Sequence, residues 1–278
     1  MLLIDMAYKR ILTLQDISCV GQCSMTVAMP ILSACGHETC ILPTVLLSTH
    51  TGGFGKPVVV HMGEALEDMW RHWKENQISF DAILVGYLGS VAAIEIAEQI
   101  LSEMLAPGGI SIVDPAMADH GKLYSGFDEA YAKAMKGLCR KADIILPNIT
   151  EAAMFAGMPY RASVDEGYVR QLLEKIQHPC VVLTGVGYDE RETGAAVYRD
   201  GRIDFYIHPR ADRNFHGTGD MFAASFTGAL MQEKTLLESA KIAADFVRKA
   251  IENTCAEPAH WYGVKFETAL PDLIRWLN

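Results

Sequence analysis

Short runs of branched apolar residues alternate with amphipathic stretches along most of this 278-residue chain. Strands buried on both faces read as continuous apolar runs, and parallel neighbours need helical crossovers, so the alternation requires βαβ units around a largely parallel sheet. The expected strands are Ile11 to Leu14, Cys40 to Leu47, Ala82 to Val85, Gly109 to Val113, Asp143 to Leu146 and Val181 to Thr184. Helices are expected from a Ser24 cap toward Cys35-Gly36, and over Glu64 to Asn76, Ala92 to Leu105, Asp128 to Arg140, Thr150 to Ala156 and Asp165 to Gln177. Asp200-Gly201, at the centre of Ala195 to Ile207, signals a hairpin. Helices from Asp220, over Thr235 to Asn253 and over Phe266 to Trp276 close the chain. With no repeat or long linker, residues 1–278 read as a single α/β domain with a mostly parallel central sheet and helices on both faces.

Composition narrows the class. Half the residues are hydrophobic and the formal net charge is −10, which argues against a general nucleic-acid or membrane-surface binder. The N-terminus lacks a basic start with a long apolar region, and no apolar run approaches bilayer length. The seven cysteines are odd in number and form no Cys-x-x-Cys pair, as expected of reduced, buried thiols in a cytoplasmic protein.

The richest stretch runs from Asn214 to Met231. Gly217, Thr218 and Gly219 precede Asp220, and a small-residue helical pattern follows. A glycine turn entering a helix exposes backbone N–H groups at the positive end of the helix dipole, a natural seat for phosphate. Asp220 could be an ordinary cap. Glycine on both sides of Thr218, however, implies close approach of a ligand to the backbone. A carboxylate there is poorly placed to bind an anion and well placed to take a proton from an attacking hydroxyl. The reading is a phosphoryl-transfer site with Asp220 as base.

Polar residues also fall at other strand ends: Asp16, Asp114, Asn148 and Thr184. Ligands of open α/β sheets lie beyond the carboxyl ends of the strands, so these residues point to one edge. Asp114 and Asp119, in Asp-Pro-Ala-Met-Ala-Asp, either close a turn or offer carboxylates to Mg²⁺. Asn148 and Glu151 either cap the next helix, the favoured local reading, or face a metal hydration shell. The loop Ser48-Thr-His-Thr-Gly-Gly-Phe-Gly-Lys56 is either a plain surface loop or a segment covering substrate through His50, Thr51 or Phe54. Tyr87, between Gly86 and Gly89, is either a packed core edge or a platform for a ring.

In this order the motifs resemble those of the ribokinase superfamily, and within it the pyridoxal kinase family. The resemblance rests on Gln15-Asp16, Ser48-Thr49-His50-Thr51, Gly86-Tyr87-Leu88-Gly89-Ser90, Val113-Asp114-Pro115, Pro147-Asn148-Ile149-Thr150-Glu151 and Gly217-Thr218-Gly219-Asp220. It implies ATP-dependent phosphorylation of the 5′-hydroxymethyl group of a vitamin B6 vitamer. Asp220 would be the base, with the amides of Gly217, Thr218 and Gly219 holding charge in transfer. Asp114, Asp119 and Glu151 would organise Mg²⁺, and Asn148 and Thr184 would lie near the ATP phosphates. Asp16, His50, Thr51 and Tyr87 would meet the substrate. The resemblance also implies a homodimer and leaves a monovalent cation open.

One departure stands out: Asp16 occupies a position where the family usually has serine. A carboxylate there could pair with a protonated ring nitrogen or the aminomethyl group of pyridoxamine, giving a preference for that vitamer. The alternative is that it merely caps a turn. His216-Gly217-Thr218-Gly219 also resembles hydroxymethylpyrimidine kinases, which often follow the turn with cysteine. A noncatalytic vitamer- or nucleotide-binding regulator would not need Asp220.

Overall fold

The strands are β1 (Arg10–Ser18), β2 (Glu38–Leu47), β3 (Val59–His61), β4 (Phe80–Val85), β5 (Leu105–Val113), β6 (Ala118–Asp119), β7 (Lys122–Leu123), β8 (Ile144–Ile145), β9 (Cys180–Thr184), β10 (Glu192–Arg199) and β11 (Arg202–Pro209). These belong to a computed structural model that describes residues 8–211, 213, 215–257 and 259–278. Residues 1–7, read above for a leader, and Asn214, which opens the glycine motif, lie outside the described residues. Nine of these strands form one sheet in the order β11-β10-β9-β8-β5-β4-β1-β2-β3, and β6 pairs with β7 as a small separate hairpin. From β2 across to β9 every pairing is parallel; β3 at one edge and β10–β11 at the other run antiparallel.

The helices are α1 (Met25–Ala34), α2 (Glu64–Glu75), α3 (Val91–Glu103), α4 (Glu129–Cys139), α5 (Ile149–Ala156), α6 (Glu166–Ile176), α7 (Thr218–Met231), α8 (Leu236–Cys255) and α9 (Leu270–Leu277). They cover the sheet from both sides, and the strand period of two sorts the core. In β4, Ile83 and Val85 join the cluster under α2 to α6, whereas Ala82 and Leu84 join the one under α1, α7, α8 and α9. The result is the expected α/β architecture.

Three local features differ from the expectations. β3 is a three-residue exposed edge strand, so its valines show no period to read. β1 runs on through Asp16 to Ser18, and the β1–β2 ladder slips between Gln15 and Ile17, setting Asp16 inside an irregularity rather than after the strand. α7 begins at Thr218, so the glycine turn is already its first turn and Asp220 is its third residue.

Candidate active site

β1 has β2 on one flank and β4 on the other, so the chain leaves β1 in both directions and opens a crevice at the carboxyl edge. The two strand ends are tied there by Gly86 N–H to Leu14 O (2.9 Å) and Asp16 N–H to Tyr87 O (3.1 Å). Gly86 lies against the Gln15 side chain, where a Cβ would stand 2.6 Å from Oε1.

The start of α7 faces this crevice. Gly217 is its N-cap, with φ 81°, and a Cβ there would lie 2.3 Å from the Gln22 carbonyl oxygen. The first intrahelical bond runs from Met221 N–H to Gly217 O (3.0 Å), so the amides of Thr218, Gly219 and Asp220 precede the ladder and point out of the helix end. Ser24 is not the side-chain cap expected of it. At φ 53° its hydroxyl caps nothing, and its N–H donates to Asp220 Oδ2 (2.8 Å). This bond orients the carboxylate but does not offset its desolvation. Burial pushes the Asp220 carboxyl up to about 7, the Ser24 N–H opposes the shift, and the Asp16 charge adds to it.

Asp114 lies across from Gly219, with Oδ2 3.9 Å from where a Cβ at 219 would stand. Burial, then the charges of Glu151 and Asp220, holds its carboxyl well above the usual range. Glu151 is buried and also raised, chiefly by desolvation. It accepts from Met117 N–H (3.0 Å), Ala118 N–H (3.3 Å) and Asn148 N–H (2.9 Å). Asn148 completes a capping box on α5 and donates Nδ2–H to Ala118 O (2.8 Å). Thr184 meets Asn148 in an isolated parallel bridge, with its N–H on Pro147 O (2.9 Å). Asp119 is turned away, its side chain half-exposed and paired with His120.

The structure therefore brings Asp114 beside both Glu151 and Asp220, and Asn148 beside Thr184, but turns the Asp119 carboxylate outward, from where only its charge reaches Glu151. The reason is local: Asp119 sits in the β6–β7 hairpin, whose tight turn sends its carboxylate back onto the His120 N–H (2.7 Å). Among the described residues no three His, Cys, Asp or Glu side chains converge on one point. Two buried carboxylates, both raised chiefly by desolvation and one of them also by the other's charge, still fit a hard divalent cation that takes few protein ligands and keeps its waters.

On the opposite wall Asp16 is buried and accepts a hydrogen bond from the Ser18 hydroxyl (2.9 Å). Desolvation raises its carboxyl, and its charge in turn raises the half-buried Tyr87 phenol after burial has done so. The Tyr87 ring stacks on Phe127 (5.3 Å), which stacks on Tyr131 (3.7 Å), so it is a backed platform at the cleft edge. His50 is half-buried and lowered, first by burial and then by the charge of His216. Its Nδ1 accepts Gly52 N–H (3.1 Å), and its ring centroid is 4.7 Å from that of His216. Thr51 is exposed at the loop tip.

Two groups at the site were not singled out from sequence. The loop 19–24 packs under Gly217 and supplies the Ser24 N–H; its only signal was Gly21, where φ is 141° and a Cβ would lie 2.5 Å from His50 Cβ. Trp261 and Tyr262 pack against Phe54, and no sequence motif marked them.

Comparison with known proteins gives the family and the fold. The phosphomethylpyrimidine kinase family model matches residues 56–263. The crystal structure of pyridoxal kinase from Lactobacillus plantarum superposes with a TM-score of 0.89 at 33% identity, covering 96% of this chain and 97% of that one. A phosphomethylpyrimidine kinase-type protein of Bacteroides thetaiotaomicron crystallised with pyridoxal gives a TM-score of 0.87 at 31% identity, covering 96% of both chains. The hydroxymethylpyrimidine/phosphomethylpyrimidine kinase of Bacillus subtilis is 30% identical over 63% of this chain and 64% of its own. The chain belongs to the phosphomethylpyrimidine kinase family of phosphotransferases.

Proposed function

We propose that this protein is an ATP-dependent kinase that phosphorylates the 5′-hydroxymethyl group of a vitamin B6 vitamer. The observation that carries the reading is Asp220: a desolvated carboxylate, oriented by the Ser24 N–H, on the first turn of a helix whose leading amides precede the first intrahelical bond. Asp220 takes the hydroxyl proton as the oxygen attacks the γ-phosphorus. The amides of Gly217, Thr218, Gly219 and Asp220 hold the negative charge that develops in transfer. Mg²⁺, when bound with ATP, neutralises phosphate charge, and Asp114 and Glu151 are the residues that would hold it; Asp119 would act at most through water. Asn148 and Thr184, at neighbouring strand ends, line the ATP phosphates.

The alcohol side supports an aromatic, cationic substrate. Tyr87 offers a ring platform, His50 and Thr51 come from the covering loop, and Asp16 supplies a buried negative charge that a protonated ring nitrogen or aminomethyl group would satisfy. Homodimerisation belongs to the same reading, supported by the exposed Val58, Val59 and Val60 at the sheet edge, as does a cytoplasmic location; among the described residues no helix is long and apolar enough to cross a membrane. The His-Gly-Thr-Gly turn and the likeness to the Bacillus subtilis enzyme favour hydroxymethylpyrimidine as a second substrate class. ADP release with Mg-ATP and pyridoxal, pyridoxine, pyridoxamine or hydroxymethylpyrimidine separates the readings. Turnover of the pyrimidine alone would sink the vitamer assignment, and turnover of none would favour a binding protein.

A further inference from the structure

The loop 48–56 is pinned at both ends and along its inner side. Its stem is closed by Ser48 N–H to Val58 O (2.9 Å) and Val58 N–H to Ser48 Oγ (2.9 Å). Inside, His50 N–H donates to Val20 O (2.7 Å), and Gly52 lies against the ring of His216, where a Cβ would be 2.9 Å from Nε2. Its outer tip rests on a segment more than two hundred residues away in sequence. Gly53 has φ 85°, and a Cβ there would stand 2.6 Å from Trp261 Cζ3. The Phe54 ring is 4.8 Å from Trp261 and 5.0 Å from Tyr262, and those two rings are 5.1 Å apart. The segment is itself anchored, because Gly263, with φ 61°, leaves room for Gln22, whose Cβ would lie 2.6 Å from a Cβ at 263.

Trp261 is 54% exposed. An indole used for core packing would be covered, whereas this one packs against the tip of loop 48–56 and its neighbour Tyr262. Among the described residues no hydrogen bond joins Gly53 or Phe54 to the segment 260–263; the contact is one of tilted and edge-on rings and can part without breaking a buried hydrogen bond.

We infer that Trp261 is a positioning residue for the kinase reaction. Through Gly53 and Phe54 it holds loop 48–56 over the crevice, keeping His50 and Thr51 against the alcohol, and the loop leaves it when substrate enters and product departs. The inference rests on the reading of the cleft as a vitamer kinase site, and its test has one arm that does not. In the ligand-free protein, amide hydrogen exchange over residues 49–56 is about five- to tenfold faster in Trp261→Ala, while Trp261→Phe stays near wild type. In steady state, Trp261→Ala raises KM for the alcohol by about the same factor, moves kcat and KM for ATP less, and is rescued by Trp261→Phe. Phe54→Ala, which removes the loop's side of the contact and keeps the Trp261 and Tyr262 side chains in place, reproduces both effects if Trp261→Ala does not fold. Unchanged exchange overturns the assignment. So does faster exchange with an unchanged KM, or a lowered Tm as the only effect. If the wild-type protein phosphorylates no hydroxymethyl alcohol, the kinase reading fails, and the exchange arm still decides whether Trp261 holds the loop.

Discussion

On the phosphate wall, Glu151 accepts three backbone N–H groups and Asn148 caps α5 while donating to Ala118, so the strand-end loops are locked by hydrogen bonds to fixed elements. The alcohol wall is assembled differently. Gly21, Gly52, Gly53 and Gly263 let distant loops approach until a Cβ would collide, and aromatic rings fill the outer seam. Hydrogen-bonded carboxylates hold a rigid geometry for charge, which phosphoryl transfer needs at every turnover. Ring and glycine contacts hold shape at little cost to opening, which suits the wall through which the alcohol must pass.

The sharpest way to break this contrast is at Asp220, where the walls meet. Asp220→Asn keeps an acceptor for the Ser24 N–H and removes the proposed base, so kcat/KM is expected to fall about a thousandfold, within the range for loss of a general base. Stability should move the other way. The folded carboxyl is raised to about 7, above its unfolded value, so its contribution is fully present at acid pH and is lost as pH rises through 7. Asp220→Asn should therefore melt higher than wild type at pH 8, with the gap closing near pH 4. Thermal melts at both pH values check the sign; a lower Tm at pH 8 would mean that the desolvation is compensated by something else.

Next in size is Glu151→Ala. Removing the acceptor of three backbone N–H groups should cost about 2–3 kcal/mol at neutral pH, the usual scale for orphaned buried donors, less what is regained by deleting a desolvated carboxylate. A urea midpoint lowered at unchanged slope reports this. Activity should fall at least about tenfold, because the loop carrying Asp114 loses its tie to α5. Gly53→Ala strikes the other wall. A left-handed φ and a Cβ against Trp261 should cost under about 2 kcal/mol and raise KM for the alcohol about fivefold, with KM for ATP unmoved. If Gly53→Ala lowers stability as much as Glu151→Ala, the two walls are not built differently.

The same contrast governs what the sequence could disclose. The phosphate wall is made of element ends, and ends carry local chemistry: Gly217-Thr218-Gly219-Asp220 at a helix start, Asn148 to Glu151 as a box, Asp114 closing a strand. Each is readable within a few residues, and so is the alternation that sets the sheet. Asp119 shows the limit, because a two-residue hairpin decides its direction and leaves no period to detect. The alcohol wall joins residues far apart in the chain: Gly21 with His50, Gly53 with Trp261, Gly263 with Gln22. A glycine in a loop announces freedom, not the neighbour that requires it, so Trp261 and the Ser24 N–H stayed silent.

Asp16→Ser is the smallest and most selective test, since it removes charge from the alcohol wall and, besides that, gives up only local contacts such as the Ser18 hydrogen bond. As placed, the Asp16 carboxylate is buried, accepts the Ser18 hydroxyl, and lies close enough to Asp220 for its charge to raise that carboxyl. Such a group is costly unless a cation completes it. The cation available in turnover is the substrate's own, and the aminomethyl group of pyridoxamine carries one that pyridoxine and pyridoxal lack. Asp16→Ser is thus expected to lower kcat/KM for pyridoxamine by about tenfold, the scale of a hydrogen bond to a charged group, while changing pyridoxine and pyridoxal about threefold or less. It should also raise Tm at pH 8, as deletion of a desolvated carboxylate does. The two readouts part company if Asp16 only caps the bulge between β1 and β2: Tm then falls, and the ranking of the three vitamers is the same in mutant and wild type. That ranking, taken at fixed Mg-ATP, decides whether the alcohol wall contributes charge as well as shape.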